Sequence, residues 1–189
     1  MQVAIKHITD LQGGIYINTK AVKGDSVYYL QVNDWDKEKN WSGYTKPQLP
    51  DEEKLRKYHL LAGDILLATK GTDHAAILYD GRYAPAVASS VFTILRIKDQ
   101  NQVLPAYLQW YLNHPHVQKQ LYSAAKGTSM PLITRDIIEE FPLPILSLEK
   151  QRLILQTFRL HVNARHIRQR INMLEETLFQ HQLFQKANQ

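Results

Sequence analysis

Cysteine is absent from the 189-residue sequence. The chain can therefore form no disulfide framework, no thiolate zinc site and no cysteine nucleophile. Long apolar runs are missing too, because no window approaches the roughly 18 uncharged apolar residues that span a membrane. The N-terminus has no apolar segment of signal-peptide length. We expect a cytoplasmic protein with no membrane partner.

The common sequence motifs of catalysis are also missing. There is no phosphate-binding Gly-x4-Gly-Lys-Ser/Thr loop, no Gly-x-Ser-x-Gly elbow and no His-Glu-x-x-His zinc pair. The acidic segment 50–54 superficially resembles a nuclease centre, but its charges are contiguous in a polar loop. His114 and His116 have no third ligand nearby. We expect a solvated charged turn and a helix break with exposed imidazoles, hence no catalytic residue, metal or cofactor.

Excess charge of one sign is nearly missing from most of the chain. The net charge is +5, yet residues 1–147 hold 16 Lys and Arg against 15 Asp and Glu. Residues 148–189 hold 7 against 3. Charge is a modest pointer to an acidic partner, and by itself it does not identify a nucleic-acid-binding protein.

The N-terminal half contains sequence that favours β-strands. Runs of β-branched, aromatic or apolar residues lie at 27–32, 65–70, 76–79 and 90–97. The third run ends at Asp80-Gly81, a dipeptide that predicts a tight hairpin turn. A polar stretch between Asn33 and Lys57 predicts a long loop, and loops of that length are usually functional or disordered.

Helical spacing begins at Pro105. Tyr107, Leu108, Tyr111 and Leu112 follow it, Pro115 interrupts it, and apolar residues resume it as far as Tyr122. A turn follows at 127–131, and Thr134 is predicted to cap a short helix that runs to Glu140.

The clearest element is C-terminal, where residues 147–186 contain neither Gly nor Pro. Apolar residues there are spaced four and three apart, which predicts a coiled-coil seam of about three heptads on a helix roughly 60 Å long. Thr157 interrupts the seam and His181 weakens it. The seam residues are Leu153, Leu160, Ala164, Ile167, Ile171, Leu174 and Leu178. A seam of this length predicts a partner helix.

Three loops carry residues suited to DNA. After the strand at 65–70, small and polar side chains could approach a base edge or a phosphate, or could form a plain hairpin loop. The loop 35–46 interleaves aromatic rings with lysines, which suits a sugar–phosphate backbone, although its tryptophans could instead pin the loop to the core. The turn 126–129 could cradle phosphate or could be purely structural. The candidate contacts are Trp35, Lys37, Lys39, Trp41, Tyr44, Lys46, Lys70, Thr72, Asp73 and His74, with Lys126, Gly127, Thr128 and Ser129 in the turn.

Several ordered segments together resemble the repeat unit of type I restriction–modification specificity subunits. They are GDIL at 63–66, YLxxxLN at 107–113, GTSMP at 127–131, FPLP at 141–144, and LExQRxI at 148–154, which leads into a long helix. Each segment is a weak signal, but their order and spacing are fairly specific. The N-terminal part is similar only in general character.

The resemblance implies a non-catalytic reader of double-stranded DNA. The implied fold is α+β: a target recognition domain at 1–146 with a twisted mixed β-sheet and short helices, then a long coiled-coil helix at 147–189. The family's helices pair with one another and dock methyltransferase subunits, and through them the restriction subunit. The resemblance also places the turn 127–130 on a shared structural motif, which favours a structural role for it.

This chain departs from the family in size, because it has one recognition domain and one helix where the typical subunit has two of each. It is either a half-size subunit or a fragment. A half-size subunit could rebuild the usual arrangement by homodimerising through an antiparallel helix pair, and would then read a bipartite palindromic site. Two other classes stay open: a coiled-coil adaptor without DNA binding, and a small metal-dependent nuclease that uses the acidic loop.

Overall fold

The computed structural model describes residues 1–18, 24–35, 46–71, 74–127 and 131–188. Its contacts divide the chain into two units, Met1–Leu148 and Glu149–Gln189. The strands are β1 (Gln2–Ala4), β2 (Thr9–Gly13), β3 (Tyr28–Leu30), β4 (Ile65–Ala68), β5 (Ala76–Leu78), β6 (Ala86–Ala88), β7 (Phe92–Ile97) and β8 (Pro142–Pro144). The helices are α1 (Ile5–Ile8), α2 (Glu53–Arg56), α3 (Pro105–Leu112), α4 (Pro115–Ala124), α5 (Arg135–Glu139) and α6 (Leu148–Ala187), with a 3-10 turn at Val32–Asp34.

The central sheet of the first unit is antiparallel, in the order β2-β7-β4-β5. Strand β4 is buried along its whole length, and it pairs with β7 on one side and β5 on the other. A continuous apolar run such as Ile65–Ala68 fits a strand of this kind. The sheet thus supports β4 on both sides up to Ala68.

Two smaller sheets complete the described strands. Strand β1 pairs with β8 in antiparallel fashion, and β3 pairs with β6 in parallel fashion. One apolar cluster includes Leu30, Leu66, Phe92 and Ile94, and a second includes Val27, Leu49 and Leu55. The buried side chains of the first unit therefore form a real core.

The α+β class, the short helices and the long C-terminal helix are confirmed. Strands form within all four predicted runs, and α3 and α4 each begin at a proline, a residue that is favoured at the first helical position. Helix α5 begins after Thr134 as predicted, but the buried Thr134 hydroxyl has no hydrogen-bond partner and does not cap the helix. Helix α6 matches the predicted span closely.

Three expectations need correction. The described strands form three separate sheets, so there is no single mixed sheet among them. A turn does form at Asp80-Gly81, where Gly81 has φ +81° and the Asp80 carboxylate accepts a bond from the Arg82 N–H. It does not close a hairpin, because the next strand, β6, leaves to pair with β3, and β5 pairs with β4 instead. The predicted loop 33–57 also contains α2 and the end of the 3-10 turn.

Candidate nucleic-acid interface

The loop after β4 brings a lysine to the surface at the end of the central sheet. Thr69 is buried and its hydroxyl donates to the Val91 carbonyl at 3.0 Å, which anchors the chain up to this point. Lys70 is exposed. Gly71 has φ +101°, a conformation that residues with a Cβ rarely adopt. Lys70 therefore lies where a rigid strand gives way to a turn.

Backbone bonds connect this loop to the turn after α4. Leu132 forms a bridge with Lys70 and another with Lys126. Lys126 and Leu132 exchange two N–H to carbonyl bonds at 2.9 Å each, and the Gly71 N–H donates to the Pro131 carbonyl at 3.0 Å. Two lysines that are distant in the sequence are thus held on either side of one residue.

Helix α4 adds two exposed side chains to the same part of the molecule. Lys119 and Tyr122 are exposed, and the helix ends two residues before Lys126. A cavity of about 390 Å³ is lined by His74, Gln118, Lys119, Tyr122 and Ser123. We call Lys70, Lys119, Tyr122 and Lys126 the lysine surface. Sequence reasoning missed Lys119 and Tyr122, although both lie on α4 away from its buried residues Val117 and Leu121.

The sequence predicts that His74 faces DNA, and the structure does not support this. The side chain is 1% exposed, and its Nδ1 lies 3.2 Å from the Ala68 carbonyl oxygen. Its ring lies 6.3 Å from that of Tyr122. The imidazole is an interior group because the chain turns inward directly before β5. The buried His74 side chain is therefore not a candidate for contact with DNA.

The other predicted contacts have mixed outcomes. Trp35 is half-buried, and its ring meets that of Phe92 edge-on at 5.9 Å, which is the pinning role that the sequence left open. Lys46 is exposed. Gly127 is exposed with φ +96°. The remaining candidates lie outside the described residues: Lys37, Lys39, Trp41, Tyr44, Thr72, Asp73, Thr128 and Ser129.

The acidic segment is not arranged like a nuclease centre. Residues 53–56 form α2, Glu52 pairs with Lys54 at 2.5 Å, and Asp51 pairs with Arg56 at 3.6 Å. Each of these carboxylates has a cation within ion-pair distance. His114 and His116 are exposed at the start of α4, where the His114 Nδ1 accepts a bond from the His116 N–H. The described residues contain no group of three or more His, Cys, Asp or Glu that could hold a metal ion.

Two of the motif residues have architectural roles that support β4 and β5. Asp64 is 1% exposed and receives two bonds from the Arg96 guanidinium, at 2.7 and 2.6 Å. The hydrogen bond to Asp64 raises the pKa of Arg96 above its usual value. The Asn113 side chain accepts from the Ala76 N–H at 3.0 Å and donates to the Ala76 carbonyl. Asp64 and Asn113 therefore support the sheet from which Lys70 follows.

Helix α6 leaves its predicted seam exposed. Every predicted seam residue, from Leu153 to Leu178, is exposed. Exposed apolar residues also lie outside the seam, among them Phe158, Phe179 and Leu183. No described helix contains a stretch long and apolar enough to cross a membrane. An uncovered apolar stripe of this length on a helix is typical of a surface that binds another helix.

Comparisons with known proteins agree with these features. A family described as the type I restriction modification DNA specificity domain matches residues 3–176. No curated protein sequence matches the chain significantly.

Three solved structures share the fold. The S subunit of a type I restriction–modification system from M. genitalium has a TM-score of 0.59 at 15% identity, over 85% of this chain and 38% of that one. The HsdS subunit from Thermoanaerobacter tengcongensis has a TM-score of 0.63 at 15% identity, over 87% and 38%. A chain from a study of assembly and conformational transition of the type I R-M system has a TM-score of 0.65 at 18% identity, over 89% and 44%. The chain thus spans less than half the length of each structure. Because the family match covers nearly the whole sequence, the chain belongs to the family of type I restriction modification DNA specificity domains.

Proposed function

We propose that this chain is a half-size specificity subunit that reads DNA sequence for a type I restriction–modification enzyme, in the cytoplasm. Residues 1–146 act as the target recognition domain, and residues 147–189 act as a helix for assembly. The observation that carries the proposal is the family match, which runs from residue 3 through most of α6. The chain contributes recognition, and its methyltransferase partner contributes the chemistry.

The lysine surface is the first part of the proposed DNA contact. Two loops and one helix supply Lys70, Lys119 and Lys126, and the backbone bonds around Leu132 hold two of the loops together. Cations fixed on rigid elements attract phosphate and orient the protein on the duplex. Thr72, Asp73, Thr128 and Ser129, which follow Lys70 and Lys126 closely in the sequence, stay candidates for base or phosphate contacts, as do Lys37, Lys39, Trp41, Tyr44 and Lys46.

The second part of the proposal is an antiparallel homodimer through α6. If the two-fold axis of an antiparallel pair lies at Gln169, the seam from Leu160 to Leu178 of one protomer lies along the same segment of the other. This arrangement sets Ile167 opposite the partner's Ile171, Ala164 opposite the partner's Leu174, and Leu160 opposite the partner's Leu178. The polar interruptions Thr157 and His181 then face each other. Two recognition domains related by this axis would read two half-sites of a palindrome around a spacer.

The absence of cysteine makes the orientation easy to test. We would prepare Ile167→Cys and Ile171→Cys separately and oxidise each alone and both mixed. Antiparallel pairing predicts that the disulfide forms efficiently only in the mixture, because each position faces the other. Disulfides within each single variant would indicate a parallel pair and would contradict the proposed register.

The outer surface of α6 is proposed to bind the methyltransferase subunits. Phe179 and Leu183 are four residues apart and therefore lie on one face, outside the seam. Replacing both with Ser is expected to reduce capture of the methyltransferase subunit at least tenfold, with the dimer unchanged in sedimentation. The matched control is Met173→Ser, an exposed apolar residue near the middle of the helix. Equal loss in both variants would argue against a localised docking surface.

The function as a whole is tested by selecting bound duplexes from a random pool, with the full chain and its methyltransferase subunits. The expected result is enrichment of two inverted half-sites with a constant spacer. A single half-site without symmetry would contradict the homodimer. No enrichment, and no retardation of any duplex at low salt, would instead support an adaptor role, which the balance of 16 Lys and Arg against 15 Asp and Glu in residues 1–147 leaves open.

A further inference from the structure

The two flanks of the α6 seam differ in charge. One flank carries Arg159, His166 and Arg170, all exposed, and we call these residues the arginine flank. In the heptad repeat of the seam, this side of the helix consists of the positions that Arg159, His166 and Arg170 occupy and of their equivalents seven residues apart. Between residues 150 and 187, none of these positions holds Asp or Glu. The other flank carries Arg165 and Arg168, but also Glu175.

Antiparallel pairing would join the like flanks of two protomers. In the dimer centred at Gln169, Arg170 lies one residue from the two-fold axis and Arg159 lies ten residues from it on the other side. At about 1.5 Å per residue, four arginines then line one side of the helix pair over roughly 30 Å. His166 of each protomer lies between them. The opposite side brings together Arg165 and Arg168, flanked by the two Glu175 side chains.

A side of this length that has cations and no carboxylates suits a long polyanion. Duplex DNA presents about one charge per 1.7 Å along its axis, and its helical repeat is about 34 Å. We propose that the arginine flank binds the sugar–phosphate backbone of the spacer between the two half-sites, without reading its sequence. This inference rests on the dimer and on the DNA-reading role proposed above.

The chain provides a closely matched pair of substitutions. Arg170 and Arg168 each lie one residue from Gln169, but they are on opposite flanks of the seam. We would measure the affinity of the full-length chain for a fluorescent 40-base-pair duplex of mixed sequence (a length chosen to be roughly that of one dimer footprint) across a range of salt concentrations. The variants are Arg170→Gln and Arg159→Gln/Arg170→Gln, and the controls are Arg168→Gln and Arg165→Gln/Arg168→Gln.

The arginine flank predicts unequal salt dependence. Each substitution removes two charges per dimer, so Arg170→Gln should lower the slope of log affinity against log salt by about 1.8, and the double variant by about 3.6. The controls should change it by less than roughly 0.5. Sedimentation of every variant should still give the dimer.

Several results would overturn the inference. Equal slopes for both flanks would be expected from a parallel pair, in which Arg168 and Arg170 of different protomers share a side. A larger effect in the controls would place DNA on the other flank. Unchanged slopes, or no binding of the duplex at low salt, would remove DNA from this surface. A wild-type chain that sediments as a monomer would instead refute the dimer itself.

Discussion

The two units of this chain treat their apolar side chains in opposite ways. In Met1–Leu148, large apolar residues such as Leu66, Phe92 and Leu108 are almost fully buried. In Glu149–Gln189, residues of the same chemistry, such as Leu160 and Leu178, are more than half exposed. Burial of a Leu or Ile side chain stabilises a fold by about 1.5–3 kcal/mol. The first unit has therefore already gained that stabilisation, whereas the second gains it only when another surface covers the seam.

Disrupting the seam should have the largest effect. Ile171→Lys/Leu174→Lys places four charges in the apolar interface of a dimer and is expected to raise the dimer dissociation constant by at least roughly 1000-fold. Sedimentation equilibrium would detect the monomer, and unfolding of the first unit should not change. The control Gln169→Lys/Asn172→Lys adds the same charges on the outer side of the helix. A dimer that persists in the seam variant would show that burial of the seam does not hold the protomers together.

Breaking a buried ion pair in the first unit should have the second-largest effect. Asp64→Asn leaves Arg96 without its buried carboxylate partner, and we expect a loss of about 3 kcal/mol in the free energy of unfolding. Denaturant unfolding monitored by tryptophan fluorescence would measure this loss. Asp10→Asn is the control, because Asp10 is exposed and its pair with Lys98 is longer, at 3.7 Å; a surface pair of this kind contributes less than about 1 kcal/mol. Equal losses would mean that burial does not distinguish the two ion pairs.

The lysine surface should give the smallest effect. Lys70→Gln/Lys126→Gln is expected to lower the salt slope of DNA binding by about 1.8 per protomer, so a fourfold rise in salt should reduce the affinity of the variant roughly tenfold less than that of the wild type. The fold should be unaffected, because both side chains are exposed. Lys54→Gln/Lys98→Gln removes the same charge elsewhere on the unit. A similar slope in both double variants would show that net charge, and not this surface, governs the attraction.

Local sequence was sufficient for four of the described strands (β3, β4, β5 and β7) and for helices α3 to α6, and it was insufficient for the pairing of the strands. The apolar run in β4, the prolines that begin α3 and α4, and the heptad spacing and the lack of Gly and Pro in α6 are all local signals. The parallel pairing of β3 with β6 is not local, because it joins segments that are far apart in the sequence, and nothing in the Asp80-Gly81 turn encodes it. Strands β1 and β8 are only three residues long, and β8 contains two prolines, so neither has a strong β pattern.

The candidate site shows the same limit. Lys70 and Lys126 could both be identified from their loops, but their connection through Leu132 depends on tertiary bonds. His74 was misplaced because a polar residue after a glycine-containing loop is usually exposed, whereas here the next strand begins at Ala76 and buries it. Lys119 and Tyr122 could have been found from the exposed positions of an amphipathic α4.

The side-chain bonds of Asn113 have a consequence for assembly. Strand β5 is at an edge of the central sheet, where free N–H and carbonyl groups would invite a strand from another molecule. Asn113 occupies both groups of Ala76, so the sheet does not offer an open edge at this residue. A protein that pairs through an exposed helix can polymerise without limit if a sheet edge also pairs with other molecules. In the proposed dimer, the bonds of Asn113 at Ala76 would therefore remove one place where further chains could add by strand pairing.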